Sequence, residues 1–216
     1  VRKMKKIVMK FGGTSVAKGE NIHHVATLVA DRAKQGYSVV VVVSALDGTT
    51  DKLSEAAEKA KNGNEEYVRK FKQELLERHL TAAAKAIENK HVRREIEQII
   101  KKTIDELEKV LPGISYVGAL TPKSKDYVLS FGERLSAPIV WGALRDLKLE
   151  TQCFTGKEAG IVTDSNFGEA SPLINVTMHQ LREKIGPLLE KRIIPVVTGY
   201  IAATQDGIVT TLGRGG

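Results

Sequence analysis

The chain has 216 residues, of which 42% are hydrophobic and 27% charged, and its formal net charge is +7. That is enough apolar material for one globular domain with a sizeable core, and no apolar run approaches the ~20 residues that cross a bilayer. The excess of cations invites a nucleic-acid reading, but lysines alternate with glutamates in "KHVRREIEQIIKKTIDELEK" and aromatics are only 5%, so a solvated helix face and small anionic ligands fit better than nucleic acid.

Residues 4–11, "MKKIVMKF", read as a buried strand. Residues 19–35 follow with Ile22, Val25, Ala26, Val29 and Ala33 at helical spacing, and Gly36 stands at the helix end. The unbroken run "SVVVVVSA", residues 38–45, predicts a strand buried on both faces, as in a parallel sheet. Strand, helix and strand with short connections make a βαβ unit. Residues 50–111 are helical almost throughout, with breaks at Asn62-Gly63-Asn64 and Asn89 and an end at Pro112-Gly113. They form a helical insertion beside the sheet. Residues 126–147 resume helical periodicity with Pro138 inside, where a kink is expected.

"TQCFTG" predicts a short strand. Thr177-Met178-His179-Gln180 has the form of a capping box opening a helix to Lys191. "IIPVVTGYIAA", residues 193–203, reads as one buried strand, and Asp206-Gly207 as a hairpin turn into "IVTTLG". The expected fold class is α/β, a three-layer α/β/α sandwich around a mostly parallel sheet.

Four stretches carry candidate chemistry. Lys10-Phe11-Gly12-Gly13-Thr14-Ser15 follows a strand end, where open α/β sheets bind ligands. Two glycines let backbone N–H groups approach an oxyanion, and Lys10 adds a mobile cation; a plain strand-to-helix turn is the alternative. It matches neither a Walker A loop nor G-x-G-x-x-G. Ser44-Ala45-Leu46-Asp47-Gly48-Thr49-Thr50 also follows a strand end. Its hydroxyls could bind a polar ligand, though taken alone the stretch reads better as a cap for a helix beginning near Asp51.

In Ser130-Phe131-Gly132-Glu133-Arg134, adjacent helical residues cannot face each other, so Glu133 and Arg134 serve different partners. Gly132 weakens the helix by about 1 kcal/mol relative to alanine, which implies close backbone approach to something. Two solvated charges beside a packing glycine is the alternative. Thr210-Thr211-Leu212-Gly213-Arg214-Gly215-Gly216 suits a bidentate grip on a carboxylate or phosphate, or is simply a glycine-rich tail. The five histidines, His23, His24, His79, His91 and His179, have no ligand spacing and read as surface or helix-end residues; no metal site is expected. The single Cys153 fits a reducing compartment, and a cytoplasmic location is expected.

Taken in order, "KFGGTSV", "VVVSA", "SFGER" and "TTLGRGG" resemble aspartate kinase of the amino-acid kinase superfamily, and "TPKSKDYVLSFGERLSAPI" looks especially like its archaeal branch. The resemblance implies transfer of the ATP γ-phosphoryl group to the β-carboxylate of L-aspartate, at the start of lysine, threonine and methionine biosynthesis. It implies ATP with Mg²⁺ as the substrate complex and no tightly bound cofactor. Lys10 would be the catalytic cation, and Phe11, Gly12 and Gly13 would cradle the ATP phosphates. Ser44, Thr50, Glu133, Tyr200 and Arg214 would bind aspartate, with Glu133 on the ammonium and Arg214 on the α-carboxylate. Tyr200 stands where family members usually have phenylalanine.

Other kinases of the superfamily, acting on acetylglutamate or a nucleoside monophosphate, lack the combined "KFGGTS" and "SFGER". Family members continue past "GRGG" into Ser-Asp, the adenine pocket and paired ACT regulatory domains. The chain is therefore expected to be the N-terminal portion of a catalytic domain, inactive alone. In full length it is expected to be a homo-oligomer that binds neither nucleic acid nor membrane.

Overall fold

The structure, a computed structural model, describes residues 5–213. Strand β1 (Lys6–Phe11), a 3-10 turn (Gly13–Val16), helix α1 (Gly19–Lys34) and strand β2 (Ser38–Val43) form the expected βαβ unit. β1 and β2 pair in parallel from Lys6 opposite Ser38 to Phe11 opposite Val43. Three helices follow: α2 (Thr49–Lys61), α3 (Glu65–Ala86) and α4 (Lys90–Val117). Next come α5 (Pro122–Leu129), α6 (Phe131–Asp146), β3 (Thr151–Phe154), α7 (Gly156–Ala159) and β4 (Val162–Thr163). The last described elements are α8 (Ile174–Lys184), α9 (Gly186–Glu190), β5 (Ile194–Thr198), β6 (Ile201–Thr204) and β7 (Val209–Thr211).

One sheet has the order β1-β2-β5-β3 and is parallel throughout. A smaller sheet, β4-β6-β7, joins one parallel and one antiparallel pair. On one face of the large sheet, Met9, Val39, Val41, Val43 and Val196 pack into a core shared with α1 and α6, and α2–α4 extend that layer. On the other face Val197 packs with Ala159, Ile185 and Leu189, next to Val40 and Phe154. Helices thus lie on both faces of a mostly parallel sheet, as the apolar patterns predict.

Several boundaries differ from the sequence reading. β1 is an edge strand of this sheet, and Val8 is 66% exposed, so it is not buried as its apolar run predicts. Pro112-Gly113 does not end α4. Leu111 and Ile114 continue the buried stripe across the proline, and the helix stops at left-handed Gly118, whose N–H bonds the carbonyls of Ile114 and Ser115. Here tertiary burial outweighs the proline penalty. The breaks at Asn64 and Asn89 fall where expected, because both side chains accept N-cap hydrogen bonds.

α5 starts earlier than the periodicity implies, at Pro122, under a Thr121–Ser124 capping box. The helix divides from α6 at Ser130, and α6 continues through Pro138. Thr177 does not cap a helix. It lies inside α8, where its hydroxyl both accepts from the Val162 N–H and donates to the Val162 carbonyl, each at 3.0 Å. The helix predicted to reach Lys191 breaks at Ile185 into α8 and α9. "IIPVVTGYIAA" is two strands in two sheets, β5 and β6, parted at Gly199-Tyr200. His79 is a core residue, not a surface or helix-end one: burial pushes its imidazole down to about 4, and Nδ1 donates to the Leu75 carbonyl at 2.7 Å.

Candidate active site

The carboxyl ends of β1, β2 and β5 open onto one cavity of about 780 Å³. Lys10 reaches it from the end of β1, Ser44 from the loop after β2, Thr50 from the first turn of α2, Glu133 from the first turn of α6, and Tyr200 from the turn after β5. Five residues that the sequence places up to 190 positions apart therefore share one concave surface. Gly13 lines it too, whereas Gly12 does not, and Phe11 turns its side chain into the core. Arg214 lies outside the described residues.

The loop after β2 is not organised by a side-chain cap. Helix α2 starts from left-handed Gly48, with no capping side chain. The capping reading of this stretch is therefore overturned: Ser44 and Thr50 instead line the cavity. α6 fixes the loop's first half. Glu133 Oε1 accepts the Ala45 N–H at 3.1 Å, and the Ser136 hydroxyl donates to the Ser44 carbonyl at 2.8 Å.

This explains Gly132. A Cβ there would sit 2.8 Å from the Ala45 Cβ, so the helix must present bare backbone to the loop. Gly132→Ala is expected to destabilise by about 1–3 kcal/mol despite the better helix propensity, because Ala45 is itself fixed by backbone. Urea denaturation of the two chains checks it; equal midpoints would mean the loop yields freely.

Glu133 and Arg134 do serve different partners. Arg134 points away from the cavity to Glu106, and its guanidinium lies 4.3 Å from the Phe131 ring centroid. Glu133 is 4% exposed, and its Oε2 has no hydrogen-bond partner. Burial pushes its carboxyl up to about 7, against the opposing hydrogen bond from Ala45. A buried carboxylate with an unpartnered oxygen, on a residue that lines a cavity, suits a cationic group.

Tyr200 holds a left-handed backbone, φ 62°, which turns the chain from one sheet into the other and sets its ring at the cavity. Its carbonyl accepts from the Leu212 N–H at 2.8 Å, tying this turn to the end of β7. Burial raises the phenol's pKa; a hydrogen bond with Thr211 opposes this, and the Asp126 and Glu133 charges add to the rise.

Sequence reasoning missed Asp126. It is buried in the cavity wall and accepts the N–H of Gly168 and of Thr211, each at 3.0 Å, and the Thr211 hydroxyl at 2.7 Å. One carboxylate thereby joins α5, the loop after β4 and β7. The available signal was an ionisable residue in "KDYVL", beside apolar positions that the structure buries. Among the described residues no cluster of three His, Cys, Asp or Glu could hold a metal ion, and no helix is long and apolar enough to cross a membrane.

The profile of the amino acid kinase family matches residues 5–216. The chain belongs to the amino acid kinase family. Among curated proteins, this family member is 32% identical over 213 residues to Aspartokinase 2, chloroplastic, of Arabidopsis thaliana, covering 97% of this chain and 37% of that one. It is 31% identical over 211 residues to the aspartokinase of Mycolicibacterium smegmatis, covering 97% and 36%. It thus spans little more than a third of the length of the curated relatives it matches.

Among solved structures, E. coli aspartokinase III in complex with lysine and aspartate superposes with a TM-score of 0.85 at 25% identity, over 98% of this chain and 44% of that one. The same enzyme in complex with aspartate and ADP gives 0.77 at 26% identity, again over 98% and 44%. The amino acid kinase fold therefore extends through the chain, including the strand ends that frame the cavity.

Proposed function

We propose that the protein carrying this chain phosphorylates the β-carboxylate of L-aspartate with ATP, giving 4-phospho-L-aspartate and ADP. The observation that carries this reading is Glu133: a buried carboxylate with one unpartnered oxygen, on a residue that lines the same cavity as Lys10. An amino acid brings an ammonium to this carboxylate, and a phosphoryl donor brings its negative charge to the lysine's side of the cavity. The relatives named aspartokinase, and the neighbour that holds aspartate and ADP, support the same pairing.

In this reading Glu133 and the hydroxyls of Ser44 and Thr50 hold aspartate, Tyr200 forms the wall beside it, and Arg214 takes the α-carboxylate. The aspartate β-carboxylate is already ionised at neutral pH and needs no general base. One of its oxygens attacks the γ-phosphorus, the bond to the bridging oxygen breaks, and ADP leaves with the electron pair. Lys10, with backbone N–H groups of the Phe11-Gly12-Gly13 loop, offsets charge developing on the transferred group. Mg²⁺ enters with ATP as part of the substrate.

The 216 residues act as the aspartate-binding portion of a catalytic domain; the adenine pocket and ACT regulatory domains belong to sequence beyond it. The full-length protein works as a homo-oligomer in the cytoplasm and supplies lysine, threonine and methionine biosynthesis. The full-length protein is expected to form aspartyl hydroxamate with ATP, aspartate and hydroxylamine, and the 216-residue chain to form little or none. Calorimetry on the chain is expected to show aspartate binding that acetylglutamate does not reproduce. Absence of hydroxamate from the full-length protein would overturn the reading.

A further inference from the structure

The loop after β2 is gripped from two sides. α6 holds its first half through the Ala45–Glu133 and Ser44–Ser136 bonds already described. Its second half is held from α3. The guanidinium of Arg78 donates to the Asp47 carbonyl at 2.6 Å and to the Thr49 hydroxyl at 3.4 Å. Asp47 and Gly48 are exposed, Gly48 is left-handed at φ 70°, and α2 starts there without a side-chain cap. Arg78 thus bonds two residues at the start of α2, a helix with no side-chain cap, where the local holds are the Thr49 N–H on the Leu46 carbonyl and the Lys52 N–H on the Gly48 carbonyl. Thr50, whose side chain lines the cavity, is the next residue after Thr49.

The geometry points to Arg78 as a positioning residue for the acceptor half of this site. It does not line the cavity. It acts by holding Asp47 and Thr49 so that the Thr50 hydroxyl stays directed at the bound amino acid. The same loop backs the phosphate side, since the Ala45 carbonyl and Asp47 Cα lie 3.2 and 3.4 Å from where a Gly13 Cβ would be. Of these two neighbours of Gly13, Ala45 lies in the half that α6 fixes and Asp47 in the half that Arg78 holds, so the effect of Arg78 falls mainly on the acceptor and less on the nucleotide. Arginine suits the task because its planar fork reaches two oxygens at once, whereas lysine reaches one.

This inference rests on the aspartate kinase reading, and its test separates the two. In the full-length protein, Arg78→Ala is expected to raise KM for aspartate about tenfold, as befits loss of a charge-assisted pair of hydrogen bonds. KM for ATP and kcat should stay within about threefold. Arg78→Lys, which can still reach the Asp47 carbonyl, should recover part of the loss. Amide hydrogen exchange should quicken at residues 47–51 in Arg78→Ala and not at β5. An unchanged KM for aspartate, an equal rise in both KM values, or exchange that quickens across the whole sheet would overturn the role of Arg78. Failure of the aspartate kinase reading would show instead as wild-type protein inert toward aspartate, and the local exchange result would still decide whether Arg78 holds the loop.

Discussion

Glu133→Gln is expected to stabilise the unliganded protein above pH 7 while removing most of its affinity for aspartate. The folded-state carboxyl titrates at about 7 because of burial, against an ordinary value of 4.5. Between those two pH values the folded chain keeps a proton that the unfolded chain has lost. Stability from this group is therefore greatest below pH 4.5 and declines as pH rises to about 7, by up to about 1.4 kcal/mol per unit. Glutamine removes that slope. It keeps an oxygen for the Ala45 N–H, although its amide N–H₂ needs a partner of its own, so the net gain at pH 8 is expected to be about 1–2 kcal/mol.

Binding runs the other way. The ammonium of an amino acid loses its counter-charge in a buried setting, and calorimetry should show at least a hundredfold weaker aspartate binding, about 3 kcal/mol. Aspartate binding to the wild type near pH 7 should also release protons, because the ligand's cation favours the ionised carboxylate. Heats measured in buffers of different ionisation enthalpy reveal that release. Identical pH slopes of stability in the two proteins would show that Glu133 is not held in this protonation state.

Lys10→Met in the full-length protein is expected to reduce kcat by about 10²–10³ and to leave the aspartate dissociation constant within about threefold. Lys10 sits at the end of β1 on the cavity, exposed, and methionine keeps a side chain of similar length there while removing the charge. The division of labour is the point of the experiment. In the proposed reaction Glu133 works on the bound acceptor, so its loss should appear in binding. In the same proposal Lys10 works on a charge that grows during transfer, so its loss should appear in turnover. A fall in kcat below tenfold, or a matching loss of aspartate affinity, would place the lysine elsewhere in the reaction.

Much of the fold was legible because burial imposes a period. The stripe of Ile96, Ile99, Ile100, Ile104, Leu107 and Leu111 marks α4 and is buried except for half-buried Ile99; the valines of β2 mark a central parallel strand, in which Val39, Val41 and Val43 are buried and Val40 and Val42 half-buried. What failed to read depended on contacts distant in sequence. Pro112 is tolerated because Leu111 and Ile114 are packed from other helices. Thr177 looks like a cap until Val162 is brought beside it. The run from Ile194 to Ala203 is mostly apolar and broken locally only by Thr198-Gly199, which does not show that Tyr200 adopts a left-handed turn and hands the chain to a second sheet. Asp126 was hidden for a similar reason: its three partners lie 42 and 85 residues away. The candidate site was more legible than these details, because glycine-flanked charges at strand ends have few purely structural uses.

The bonds that α6 makes to the loop after β2 join residues 88 and 92 positions apart. Contacts of that sequence separation need the intervening helices in place and cost loop-closure entropy before they form. No short peptide from this chain should therefore retain the amino-acid affinity. A ligand that occupies the cavity must stabilise the entire domain by mass action, rising with the logarithm of its concentration above the dissociation constant. A thermal melt thus becomes a general detector of what the cavity accepts, usable on the 216 residues without any turnover.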